Sequence, residues 1–156
     1  MDNEAKLRPL YLAKILYEQT DEEHFLTTAQ LMQILEEQYG IRSHRQTIKA
    51  EIELLRQFGL EIEEVKSTQN RYNLFGRRFD APELKLLMDA VESSKFITAA
   101  KSKELVEKLS TLASCHTAAT IKRNVSCEGR IKPGNEKIYF IISFFDSSFL
   151  FLILFF

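Results

Sequence analysis

Apolar positions in the first part of the chain recur at helical spacing in three separate stretches, each followed by a turn signal. Over residues 7–17, Leu12, Ile15 and Leu16 share one face, and Pro9 suits a first helical turn, where a missing N–H costs nothing. The run Thr20-Asp21-Glu22-Glu23-His24 is a polar break. Thr27 and Gln30 then have the spacing of a capping box. Leu31, Ile34 and Leu35 follow at helical spacing as far as Tyr39-Gly40, where glycine accepts the positive φ of a helix end. A third helix is predicted to start at Ser43, through a Ser43-x-x-Gln46 box, or at His44, one residue later. Its apolar stripe is Ile48, Ile52 and Leu55, and Phe58-Gly59 closes it.

The period then changes from helical to alternating. Leu60-Glu61-Ile62-Glu63 predicts a strand with one wet face. Ser67-Thr68-Gln69-Asn70 is turn material, and Arg71-Tyr72-Asn73-Leu74 alternates again. Helix, helix, short turn, helix, hairpin is the element order of a winged helix-turn-helix. The expected fold class is therefore mainly α with a small β-hairpin wing, followed by connecting helices.

Those connecting helices start at Asp80-x-Pro82-Glu83, with the proline just inside the first turn. Leu84, Leu87, Met88 and Val91 lie on one face. Ser102 is expected to cap the next helix, which carries Leu105, Leu109 and Leu112. Two short amphipathic helices need a surface to bury their stripes: the preceding domain, a second subunit or a missing domain. Four regions are thus expected: a winged helix over 1–79, connecting or dimerisation helices over 80–113, a polar linker over 114–137, and an apolar tail over 138–156.

Charge changes the picture by its distribution. A net charge of −1 gives no bulk argument for nucleic acid. Yet residues 42–50 hold the bases Arg42, Arg45 and Lys49 and no acid, and residues 66–79 hold Lys66, Arg71, Arg77 and Arg78, again without one. Those runs fall on the third helix and the wing. In a helix-turn-helix, the second helix of the motif enters a major groove while its apolar back stays packed. Arg pairs with guanine, and Gln with adenine, in bidentate fashion. The candidate DNA-binding residues are Ser43, His44, Arg45, Gln46, Thr47 and Lys49 on the helix, with Asn70 and Arg71 on the wing. Gln46 either caps the helix or reads a base, and His44 is a cap or a phosphate contact. The competing reading is that these are ordinary solvated charges on a small helical domain.

Other chemistry has less support. Cys115 and Cys127 form no CxxC, and His24 and His116 have no ligand-spaced neighbours, so no metal or cofactor is expected. No nucleophile, paired-carboxylate or glycine-rich phosphate signature is present, so catalysis is not expected. The first ten residues, MDNEAKLRPL, contain no apolar run of the secretory kind, which predicts a cytoplasmic setting.

The stretch GIRSHRQTIKAEIELLRQFGLEI, residues 40–62, and the upstream TDEEHFLTTAQL, residues 20–31, resemble the helix-turn-helix of bacterial transcriptional regulators that carry a C-terminal WYL domain. The resemblance runs on through Tyr72-Asn73-Leu74, Arg78-Phe79, Glu83-Leu84-Lys85-Leu86-Leu87 and Ser94-Lys95-Phe96-Ile97-Thr98, covering roughly residues 5–142. It implies binding to operator double-stranded DNA, middle helices that connect, and a homodimer. The chain departs from the family's pattern after Asn135-Glu136-Lys137-Ile138-Tyr139, where FIISFFDSSFLFLILFF stands in place of a WYL domain. Ala50 stands where the family often has a basic residue. The resemblance thus implies a regulator without its effector domain, binding DNA independently of any effector.

The tail has three readings: a truncated or frame-shifted end, a membrane anchor, or a buried element. Of its twelve Phe the chain places seven between Phe140 and Phe156. Residues 138–156 approach the ~20 needed to cross a bilayer, but Asp146 near their middle costs about 3 kcal/mol on insertion scales. Truncation ranks first and a membrane role second. The alternative function is a helical protein-interaction or membrane-tethered module.

Overall fold

The computed structural model describes residues 2–66 and 68–124. The order is α1 (Asp2–Gln19), β1 (Leu26–Thr27), α2 (Thr28–Tyr39), α3 (Arg45–Gln57), β2 (Ile62–Val65), β3 (Arg71–Leu74), α4 (Ala81–Ser93), α5 (Ala99–Ser110) and α6 (Cys115–Asn124). The described chain is mainly helical with one small antiparallel sheet, of strand order β1-β3-β2. The predicted hairpin is present as β2 and β3, with β2 two residues later than the alternation placed it, and with Ile62 opposite Leu74 and Val65 opposite Arg71. A third strand, which alternation could not reveal, joins it: Leu26 pairs with Tyr72 and Thr27 with Arg71. Two residues carry no period, so β1 exists only because β3 offers it a free edge.

The stripes of α1, α2 and α3 meet in a first core. Leu12, Ile15 and Leu16 pack with Leu31 and Leu35, with Ile48, Ile52 and Leu55, and with Ile62, Tyr72 and Leu74 of the sheet. Fully burying a side chain of this size stabilises by roughly 1.5–3 kcal/mol, so the stripes decide how the helices assemble. The α2 boundaries follow local rules. Thr27 and Gln30 form the full capping box. Gly40 ends the helix at φ 67°, and the next amide, that of Ile41, donates to Leu35. Helix α1 begins earlier than its apolar pattern. Pro9 accordingly sits inside the helix and not in its first turn, where it forgoes one backbone hydrogen bond. Packing bridges that point, since Arg8 beside it pairs with Glu51 of α3 at 2.6 Å.

A second core lies between α4, α5 and α6: Leu84 and Met88, Val106, then Ala113, Ala118 and Ile121. Three expectations change here. Helix α5 is capped by Thr98, whose hydroxyl accepts from the Lys101 amide, and not by Ser102. Ser102 is instead buried and donates to the Val91 carbonyl of α4. The inward face of α5 is thereby displaced by one residue, to Ser102, Val106 and Ser110, while Leu112 is exposed. The segment expected to open a linker at residue 114 instead forms α6, which covers Leu84 and Met88. Ala118 of α6, and Ala113 in the turn before it, allow close approach but give a weak apolar signal. The rest of the expected linker and the tail, residues 125–156, lie outside the described residues. No helix among the described residues is long and apolar enough to cross a membrane.

The break at residues 20–24 is polar but not simply solvated. Thr20 is fully buried and Asp21 nearly so. The Thr20 hydroxyl donates to the Leu16 carbonyl at 2.6 Å and accepts from the Leu74 amide of β3 at 2.9 Å. Asn73 of β3 donates its amide to the Asp21 carbonyl at 3.1 Å. The loop after α1 therefore anchors the sheet.

Candidate nucleic-acid interface

Helix α3 presents two faces because of its residue spacing. Ile48, Ile52 and Leu55 point into the first core, so Arg45, Gln46, Lys49 and Ala50 are turned to solvent. The β2–β3 hairpin stands alongside. Arg45, Gln46 and Lys49 share a cleft of about 260 Å³ with Thr28 and Ala29, at the start of α2, and with Thr68, Gln69 and Asn70 of the hairpin turn. A second cleft, of about 530 Å³, continues along the same groove between Gln46, Lys49 and Ala50 on one side and Glu64, Lys66 and Tyr72 on the other. The two clefts share Gln46, Lys49 and Tyr72.

Electrostatics sorts the charges of this groove into free and engaged. Among the described residues no carboxylate pairs with Arg45, Lys49 or Lys66. The acids of the groove are tied back. Glu53 holds Arg56 at 3.1 Å, and Glu64 accepts from the Asn70 amide at 2.6 Å and from the Tyr72 hydroxyl at 3.4 Å. Arg56 also donates to the Ile62 carbonyl at 2.9 Å, bracing α3 against β2. The free charge facing the groove is therefore cationic, although the chain as a whole is not.

The candidate residues separate as follows. Arg45, Gln46, Lys49 and Asn70 come together in the groove, but the Asn70 side chain is committed to Glu64. His44 occupies the N-cap position of α3, is exposed, and makes no side-chain capping bond. The Ser43-x-x-Gln46 box does not form, because the helix starts one residue later; Gln46 is left exposed, and the buried Ser43 hydroxyl has no partner. Thr47 is half-buried. Arg71 neighbours Tyr72 in β3, so its side chain leaves the opposite face of the sheet, and its guanidinium lies 5.9 Å from the centre of the Phe25 ring. It is absent from the lining of the groove that holds Arg45. Arg77 is likewise absent from that lining. It donates to the carbonyls of Tyr17 and Thr20 and, at 3.4 Å, to Leu112, and it covers the Tyr17 ring. That arginine is a structural clamp, and the run of bases over 66–79 is split among three directions.

Thr28, Ala29, Lys66, Thr68 and Gln69 line the groove without having been singled out as candidates. The sequence carried a partial signal for the first two. The Thr27 capping box marks where α2 begins, and helix starts expose backbone N–H groups. For Lys66 the signal was the acid-free basic run of the wing, and for Thr68 and Gln69 it was turn-forming composition alone.

Comparison with known proteins returns no match: no family model fits the chain, and no curated protein or solved structure is significantly similar to it.

Proposed function

We propose that the chain is a winged helix-turn-helix that binds double-stranded DNA through α3, and that it acts as a transcriptional regulator of the kind its sequence resembles. The observation that carries this reading is the Arg45–Gln46–Lys49 stripe. It is exposed, paired with no acid among the described residues, flanked by a hairpin, and set directly opposite the buried Ile48–Ile52–Leu55 face. A major groove admits one α-helix, and residues near that helix's N-terminus meet the base edges. The Arg45 guanidinium suits a guanine edge and Gln46, free of a capping role, suits adenine. Lys49 and Lys66 supply phosphate contacts from the two sides of the groove. Thr28 and Ala29 extend the same surface to the start of α2.

Selection of duplexes from a random pool, followed by titration across salt concentrations, tests this reading. Arg45→Ala is expected to cost about 1–3 kcal/mol and to relax the preference at one base position. Lys49→Ala is expected to weaken all duplexes alike and to lower the salt slope by about 1. Equal affinity of the wild type and Arg45→Ala for the selected duplex at every salt concentration would defeat the proposal. A protein-interaction module is the second reading. It draws support from Leu54, 54% exposed on the outer side of the same helix, and Phe58, 82% exposed at its C-cap. The absence of any duplex preference in the selection would favour it.

A further inference from the structure

Between the two cores runs a seam of polar ties that converge on the loop after α1. One oxygen of the Asp21 carboxylate, Oδ2, accepts from the hydroxyls of Ser114 and, at 3.1 Å, of Thr117, both at the start of α6. The other, Oδ1, accepts from the amides of Glu23 and His24 and from the His24 ring. The His24 ring in turn stacks on His116 of α6 at 3.9 Å. On the far side of the same two residues, the Thr20 hydroxyl holds the Leu74 amide and the Asp21 carbonyl holds Asn73. A load on α6 thus reaches β3 through two residues of backbone, and β3 is the strand on which the hairpin beside Arg45 and Lys49 is built.

The seam runs along one edge of a cavity of about 570 Å³. Phe75 and Phe79, just after β3, form one wall, and Pro82, His116, Thr120 and Ile121 line the other. Among the described residues the two units therefore meet along a line of ties with open space beside it, and not across a filled apolar face. Packed interiors resist small displacements, whereas a line of hydrogen bonds beside a gap permits rotation about it.

We propose that Asp21 is a positioning residue through which α6 sets the placement of the β2–β3 hairpin against α3, so that the seating of α6 tunes DNA affinity. This rests on the DNA-binding reading for its functional consequence, but not for its mechanical part. Thr117 is the residue to probe, because it contacts Asp21 while Ser114 retains the bond to the Thr117 amide that caps α6. Thr117→Val keeps the shape and removes the hydroxyl. In the full chain without DNA, it is expected to speed amide exchange at Leu74 and to shift the amides of Tyr72 and Asn73. Affinity for the selected duplex is expected to fall about fivefold, the lower end of ordinary coupling between sites. Thr117→Ser is expected to restore both, which a packing defect would not allow. His116→Ala, which removes the ring stack from the α6 side, is expected to act in the same direction. Lys122→Ala, which breaks the bridge to Glu107 within the helical unit, is expected to leave Leu74 unchanged.

Unchanged Leu74 exchange in both Thr117→Val and His116→Ala overturns the proposal, whatever happens to DNA binding. A response at Leu74 with unaltered duplex affinity overturns the tuning role. A wild-type chain with no affinity for any duplex would sink the DNA reading itself, and the exchange measurement would still decide whether α6 holds the hairpin.

Discussion

Asp21 shows how much one side chain in a nominal loop can organise. Burial pushes its carboxyl up, but hydrogen bonds from Ser114, from the His24 ring and from the Glu23 and His24 amides outweigh that and hold it at about 2, below its ordinary 3.8. A depressed carboxylate contributes its stability in full above its unfolded value and loses it as pH falls through the folded one. The chain is therefore expected to lose stability between about pH 4 and pH 2, by an amount on the order of 1 kcal/mol once solvent screening is allowed for. Urea unfolding of the wild type and Asp21→Asn across that range checks this. The difference between them should shrink as pH falls, and a difference constant with pH would exclude the carboxylate as its source. In the sequence Asp21 stood among Glu22, Glu23 and His24 as one more polar residue. Nothing in the sequence around it reveals the tie to α6, because the partners Ser114 and Thr117 are more than ninety positions away. Arg45 and Lys49 are the opposite case. Their exposure follows from the positions of Ile48 and Ile52 on the same helix, so it was legible before any tertiary contact was known.

At the scale of elements, helix ends followed their chemistry wherever the signal was self-contained. Thr27 with Gln30, Asp80 with Glu83, and Gly40 act where their spacing put them, since each bond joins residues within one turn. Competing caps were harder. Ser43 and His44 both precede α3, and Thr98 and Ser102 both precede apolar residues of α5. At α5 packing chose: Ser102 is drawn onto the Val91 carbonyl, which leaves Thr98 to cap. Thr98→Ala is accordingly expected to cost about 1 kcal/mol, the usual value for a lost N-cap. It should also lower helix content at α5, read by amide exchange at Lys101. Retention of that amide's protection would contradict the cap. Strand β1 and helix α6 escaped the pattern for related reasons. One is too short to show alternation, and the other buries only Ala118 and Ile121, too few apolar positions to mark a face.

At the scale of the whole molecule, the helices after the hairpin make a core of their own. Leu84 is buried against α5 and α6 and Leu109 packs onto the same cluster, so neither is a free surface for a second subunit. Leu84→Ala is expected to destabilise by about 2–5 kcal/mol, as large-to-small changes in a packed core do. Its effect on denaturant midpoint should not depend on protein concentration; a strong concentration dependence would mean that Leu84 lies in an intermolecular interface after all. A homodimer, if the chain forms one, has Leu86, 70% exposed, and its neighbour Leu87 available on α4. The sequence by itself determined most of the helices, the hairpin, and the side of α3 that faces outward, because helical and strand periods are set by residues a few positions apart. Tertiary structure alone decided that Arg77 clamps three carbonyls instead of facing the groove, and that Thr20 and Asp21 join the two cores. Each of those outcomes depends on which polar groups are brought together from distant parts of the chain, and local periodicity records burial but not partnership.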